Sequence, residues 1–225
     1  MNKKALLLIQ MVIKGILGFL LLGIPLFSCA GTLRYPNAWV LILSLCLWML
    51  AMGLILLIKY PETLAKRLKA KESEKAQKGY VALTGLLFLA SFALAGWDYR
   101  FGWSKAPFAV SAAAWVIMLI GYLLYAAAVL QNAYASRVVE IQKGQVVIMT
   151  GLYAVLRHPM YLAALLLFLA MPLVLGSYIA LIPMLILPIA LVLRIRNEEA
   201  LLTAGLPGYA AYMQKTRYRL IPYVW

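Results

Sequence analysis

Apolar residues fill four long stretches of this chain and two shorter ones near its C-terminal end, and polar residues collect between them. The long stretches cover about residues 6–27, 39–58, 80–97 and 108–130. Crossing a bilayer as helix takes roughly 20 residues, so each of the four predicts a membrane-spanning helix. The shorter stretches, about 160–175 and 178–193, are separated only by Gly176-Ser177. That spacing predicts a tight helical hairpin bent by Pro172, Pro183 and Pro188, since membrane helices tolerate proline where neighbours satisfy the freed carbonyls. The predicted fold is an all-α, polytopic bundle of about six membrane segments. Residues 1–130 form a set of N-terminal helices, and 131–225 form a second region with a cytoplasmic cap, the hairpin and a C-terminal tail. Lys3 and Lys4 give the first stretch a signal-like start, but no small-residue cleavage site follows, so it reads as a retained helix.

Composition agrees: 65% of residues are hydrophobic and the mean hydropathy is +0.90. The net charge of +14 raises nucleic acid or acidic lipid as partners. Its distribution answers the question. With a cytoplasmic N-terminus, seventeen of the 21 Lys and Arg fall on the internal side, against three (Arg34, Arg100 and Lys105) outside and Lys14 within the first span. This asymmetry follows the positive-inside rule, places both termini in the cytoplasm, and accounts for the charge without nucleic acid. Residues 65–78 read as a solvated loop or short surface helix beside anionic headgroups. Cys29 and Cys46 read as packing residues.

The polar segments are few enough to weigh singly. Residues 131–157 alternate short apolar pieces with glycines, which predicts an ordered cap. The tail from Asn197 carries four tyrosines, and Gly205-Leu206-Pro207-Gly208 predicts a turn between two short helices. Arg157-His158-Pro159 falls at the mouth of the fifth segment. Proline suits a first helical turn, and the open backbone N–H groups there could take an anion. The plainer reading is a snorkelling interfacial pair. Arg194 and Glu198 stand four apart and so share one helix face. Ionisable residues at that depth suggest function, and the plainer reading is a helix-end ion pair. Glu199 should point elsewhere, into solvent, and Arg217 and Arg219 read as basic anchors. One histidine with no Cys or carboxylate cluster around it offers no metal site. The chain also lacks a Gly-rich phosphate loop, a Ser/His/Asp order and a strand-linked GxGxxG, which excludes a metalloprotease, an ATPase and a soluble Rossmann methyltransferase.

Gly151-x-Tyr153, Arg157-His158-Pro159-x-Tyr161, Glu198-Glu199-x-x-Leu202, Gly208-Tyr209-x-x-Tyr212 and Arg219-Leu220-Ile221-Pro222, in this order, resemble the isoprenylcysteine carboxyl methyltransferases and the wider group of membrane phospholipid methyltransferases. The resemblance covers about residues 130–222 and leaves the first three helices without a matching motif. It implies S-adenosylmethionine in a cytoplasm-facing pocket and a lipid or prenylated acceptor arriving from the bilayer. By motif, the cofactor would contact Gln145, Val146, Val147, Ile148, Tyr153, His158, Pro159, Met160 and Tyr161, with Glu198 as the cofactor-binding acid. Arg194 matches the residue expected to meet the acceptor carboxylate, and Glu140 corresponds loosely to a further polar contact. The chain departs from the family at Leu152, often Pro, at Met160, often small, and at Gln145, His in some relatives. A phospholipid N-methyltransferase is one alternative. An NADPH-dependent sterol or enone reductase is another, although Leu162-Ala163-Ala164 stands where those enzymes carry Gly-Glu. A transporter is a third. The host membrane would be the inner membrane of a prokaryote or the endoplasmic reticulum of a eukaryote.

Overall fold

The computed structural model describes residues 3–68, 75–136 and 138–225. In chain order come α1 (Lys3–Ala30), α2 (Pro36–Lys59), the short α3 (Pro61–Leu68), α4 (Lys75–Phe101) and α5 (Phe108–Gln131). Among the described residues, α1, α2, α4 and α5 are long and apolar enough to cross a membrane. Helices α1, α2 and α4 run a few residues past their apolar stretches and α5 matches its own to within one residue; in hydrocarbon the backbone groups must be satisfied within the helix itself. Their outer faces are inverted relative to a water-soluble protein: Leu21, Leu47, Leu86 and Leu123 are all exposed, as suits a surface wetted by lipid.

Two glycines set how closely the helices approach. A Cβ on Gly96 of α4 would stand 2.5 Å from the carbonyl oxygen of Leu26 in α1. One on Gly121 of α5 would stand 2.9 Å from the amide nitrogen of Leu167, in α7 (Pro159–Val174). Small residues at such seams let backbones pack where no hydrophobic effect drives association. Around them lies the main core, including Leu26, Ile42, Phe92, Met118 and Met171.

Between α5 and α7 runs the cap, which ends in a single helical turn, α6 (Leu152–Val155). Side chains order it. Gln142 donates from Nε2 to the Tyr134 carbonyl, and the Tyr134 hydroxyl donates to the Gly144 carbonyl, both at 2.9 Å. The basic stretch expected at 65–78 is α3 up to Leu68 and the start of α4 from Lys75. Its middle, 69–74, lies outside the described residues, as does Arg137. Lys14 donates its ammonium to the Leu68 carbonyl at the end of α3, so the one charge expected inside the first span has a backbone partner.

The hairpin departs from expectation in its second arm. Residues 178–193 do not form one helix. A short turn, α8 (Leu181–Met184), precedes α9 (Leu187–Gly205). Pro183 and Pro188 remove backbone donors here, and proline fits a helix best in its first turn; Pro188 accordingly sits in the opening turn of α9. Once started, α9 continues unbroken through Arg194 and Glu198 to Gly205, where the sequence suggested a short helix. The turn at 205–208 then leads to α10 (Tyr209–Lys215).

One buried acid escaped the sequence reading. α4 extends to enclose Asp98, 1% exposed, whose carboxylate accepts hydrogen bonds from the Ser104 amide and hydroxyl and from the Ser177 hydroxyl. With Asn37 donating to the Val174 carbonyl at 2.9 Å, it fastens the end of the bundle remote from the cap.

Candidate active site

The site is assembled at the entrance to α7. Gly151 has a positive φ of 59°, a conformation open mainly to glycine, and the Gln131 side chain closes over it, accepting the Leu152 N–H at 2.8 Å. The chain turns once through α6 and extends at Leu156, which bridges in parallel to Tyr218 of the tail. The Arg157 N–H donates to the Tyr218 carbonyl at 2.9 Å and the His158 N–H to the Arg219 carbonyl at 3.0 Å. The open amides expected at this helix mouth are therefore occupied by the tail. His158 is the N-cap of α7 with Pro159 next to it, as the Pro-in-first-turn rule predicts.

In front of this entrance is a cavity whose empty space, open mouth included, is about 810 Å³. Gln145, Val146, Val147 and Ile148 of the cap line one side, and Tyr153, His158, Pro159, Met160 and Tyr161 line another. Glu198 of α9 reaches it from a third, together with Leu202, Leu206, Tyr209 and Tyr212. All ten residues named as cofactor contacts thus border one space, joined by Glu140. Aliphatic walls at Val146–Ile148 and Leu202 could take the faces of a purine. The half-buried Glu198 carboxylate offers an acceptor for hydroxyl or ammonium groups. A nucleoside sulfonium fits this donor and acceptor set. Among the described residues, no three His, Cys, Asp or Glu come together as a metal-binding group.

Behind the cavity wall, tyrosines brace the frame. The Tyr212 hydroxyl donates to the Tyr153 carbonyl at 2.7 Å, and the Tyr153 hydroxyl to the Ala128 carbonyl at 3.3 Å. Burial pushes both hydroxyls up to about 12, so they serve as neutral donors.

Glu199 overturns its expected place in solvent. It is 5% exposed. Its Oε1 lies 3.2 Å from both Arg157 Nε and His158 Nε2, and its Oε2 accepts from Arg219 Nε at 2.8 Å. Burial alone would raise this carboxyl, but hydrogen bonds from His158 and Arg219 and the charges of His158 and Arg157 outweigh it, holding the group below the usual range. The reason for the miss is local. The flank of α9 that carries Glu199 is covered by the tail, and helix spacing alone cannot reveal a cover supplied from twenty residues away. Arg219, taken as a basic anchor, is the tail's contribution to this cluster.

Arg194 does not border the cavity; it stands one layer deeper. Its Nε donates to the Tyr161 hydroxyl at 2.9 Å, and that hydroxyl donates in turn to Glu198. Arg194 and Glu198 share a face of α9 as their spacing required, and a tyrosine of α7 stands between them. The guanidinium also lies over the Tyr80 ring, 4.6 Å from its centroid. Tyr80, from α4, carried no signal in the sequence.

Residues 112–204 match the sequence model of the isoprenylcysteine carboxyl methyltransferase (ICMT) family. Among solved structures, the chain is similar to the eukaryotic intramembrane Ras methyltransferase ICMT. The TM-score is 0.52 at 16% identity, over 99% of this chain and 98% of that one, a likeness of fold. No curated protein sequence matches. The matched segment runs from α5 into the last turns of α9, and so contains Tyr161, Arg194 and Glu198 but neither Tyr80 nor the tail.

Proposed function

We propose, from the match of residues 112–204 to the isoprenylcysteine carboxyl methyltransferase family, that this chain is a member of that family and methylates the carboxylate of a prenylcysteine-like lipid using S-adenosylmethionine. The observation that carries this reading is the sequence of groups across Tyr161: a carboxylate, Glu198, on the cavity side and a guanidinium, Arg194, on the other. Such an order suits a cationic donor held beside an anionic acceptor.

The donor, when bound, supplies a methyl group on a positively charged sulfur. The chain's own residues do the rest by holding and orienting. Gln145, Val146, Val147, Ile148, Tyr153, His158, Pro159 and Met160 would enclose the donor, and Glu198 would bind its polar end. Arg194 would orient the acceptor by charge-assisted hydrogen bonds. A carboxylate acceptor is ionised at neutral pH and needs no general base, so alignment supplies much of the rate. A protonated amine would meet Arg194 with like charge, which disfavours the phospholipid N-methyltransferase alternative. The excess of basic residues beside the cap supports a cytoplasm-facing site with both termini on that side. In this reading residues 1–130 chiefly scaffold and 131–225 carry the chemistry.

The test is transfer of labelled methyl from S-adenosylmethionine to a farnesylcysteine analogue by the purified protein in lipid nanodiscs. Base-labile label in the ester supports the reading. Label appearing only in phospholipid amines, or protection by NADPH instead of S-adenosylhomocysteine, overturns it.

A further inference from the structure

The geometry points to Tyr80 of α4 as a positioning residue for the acceptor, acting by fixing the plane of the Arg194 guanidinium. α4 and α9 pack antiparallel, and their contacts keep a seven-residue register. Leu87 meets Leu187 in one cluster, and one heptad earlier on α4 and later on α9, Tyr80 meets Arg194. The seam is apolar at Leu87 and turns polar at this end. Gln77, one turn from Tyr80 on the same face, is 2% exposed, and among the described residues its Oε1 has no hydrogen-bond partner.

Arg194 is held on two sides from different helices: Tyr161 of α7 accepts from Nε, and the Tyr80 ring covers one face. Carboxylate recognition by a guanidinium is planar and forked, so the tilt of that plane decides whether an acceptor's oxygens meet it squarely. A long Arg side chain carries considerable rotamer freedom. A ring stacked on its face removes much of that freedom before the acceptor arrives, which is how preorganisation strengthens binding. Cation–π contact grows stronger when desolvated, and both partners here are at least half-buried. Tyr80 lies outside the family-matched segment. The half of the chain read as scaffold thus lends a residue to the chemistry.

This inference rests on the proposed acceptor role of Arg194, and the experiment separates the two. Methyl transfer by full-length protein in nanodiscs is measured for wild type, Tyr80→Leu, Tyr80→Phe and Arg194→Ala, varying farnesylcysteine analogue and S-adenosylmethionine separately. Tyr80→Leu is expected to raise the acceptor KM roughly tenfold, while leaving the donor KM and the affinity for S-adenosylhomocysteine within about twofold. Tyr80→Phe, which keeps the ring face, restores the wild-type acceptor KM. An unchanged acceptor KM in Tyr80→Leu overturns the inference. So does an equal loss of donor and acceptor affinity, which marks Tyr80 as packing only, or a Tyr80→Phe variant as impaired as Tyr80→Leu. Absence of transfer by the wild type, or an Arg194→Ala variant with normal acceptor KM, overturns the reading of the preceding subsection and this inference with it.

Discussion

Arg219 of the C-terminal tail donates from Nε to Oε2 of Glu199 at 2.8 Å, and through that carboxylate the tail reaches Arg157 and His158 at the cavity wall. Removing Glu199 would leave the buried Arg157 without its anion. Breaking a buried ion pair from one side typically costs about 3–5 kcal/mol. Glu199→Ala is therefore expected to lower the thermal unfolding midpoint in detergent markedly and to weaken S-adenosylhomocysteine binding, read by calorimetry. Arg219→Ala, at a side chain about one-third exposed, should lose less, about 1 kcal/mol.

The same carboxylate sets a pH dependence. Its folded pKa lies below the ordinary value, so the folded protein keeps Glu199 ionised at a pH where the unfolded chain would protonate it. The stability it gives is complete above the unfolded value, about 4.3, and is lost as pH falls through the lower folded value. Melting temperatures measured from pH 7 downward should stay flat until near pH 5 and then fall more steeply for wild type than for Glu199→Gln. Parallel curves for the two proteins would remove Glu199 from the account.

Donor and acceptor affinities are expected to separate along α9. Glu198→Gln and His158→Ala should weaken S-adenosylhomocysteine binding about tenfold or more, given the strength of hydrogen bonds to charged groups. Arg194→Ala, one turn deeper, should raise the acceptor KM and leave donor affinity nearly intact. Titration of both ligands against the three variants checks this, and unchanged donor affinity in both Glu198→Gln and His158→Ala would dismantle the pocket assignment.

Packing at the α5–α7 seam makes a contrast between two glycines. Gly121→Ala puts a methyl 2.9 Å from one backbone atom and 3.0 Å from another, neither able to swing aside, and should destabilise by about 1–3 kcal/mol. Gly85→Ala on α4 meets nothing within 4 Å and should be neutral or slightly stabilising, because alanine favours helix. Unfolding midpoints of the two variants decide it.

What could be read in advance follows from which forces act locally. The helices were legible because lipid obliges the backbone to satisfy itself, so long apolar runs have one outcome. The break at 185–186 was half-legible: Pro183 and Pro188 were visible, but which would end a helix and which would start one depends on position within a turn. Residues from four of the five motifs line one cavity, and Arg194 and Glu198 share a helix face as their spacing required. Glu199, Arg219 and the amides of Arg157 and His158 were misread together, for one reason. Each depends on the tail folding back over α9, a contact between distant segments that no local period records. Asp98 and Tyr80 were missed similarly, since their partners Ser177, in the connection after α7, and Arg194, on α9, are distant in sequence.

The pairing of Leu156 with Tyr218 has a consequence in hydrogen exchange. The amides of Arg157 and His158 sit in a stretch with no helix to shelter them, yet both are bonded to tail carbonyls. Their exchange reports the opening of the tail alone, independently of the unfolding of the membrane helices. Two protons thus give a clock for the assembled site, readable on the intact protein without any turnover.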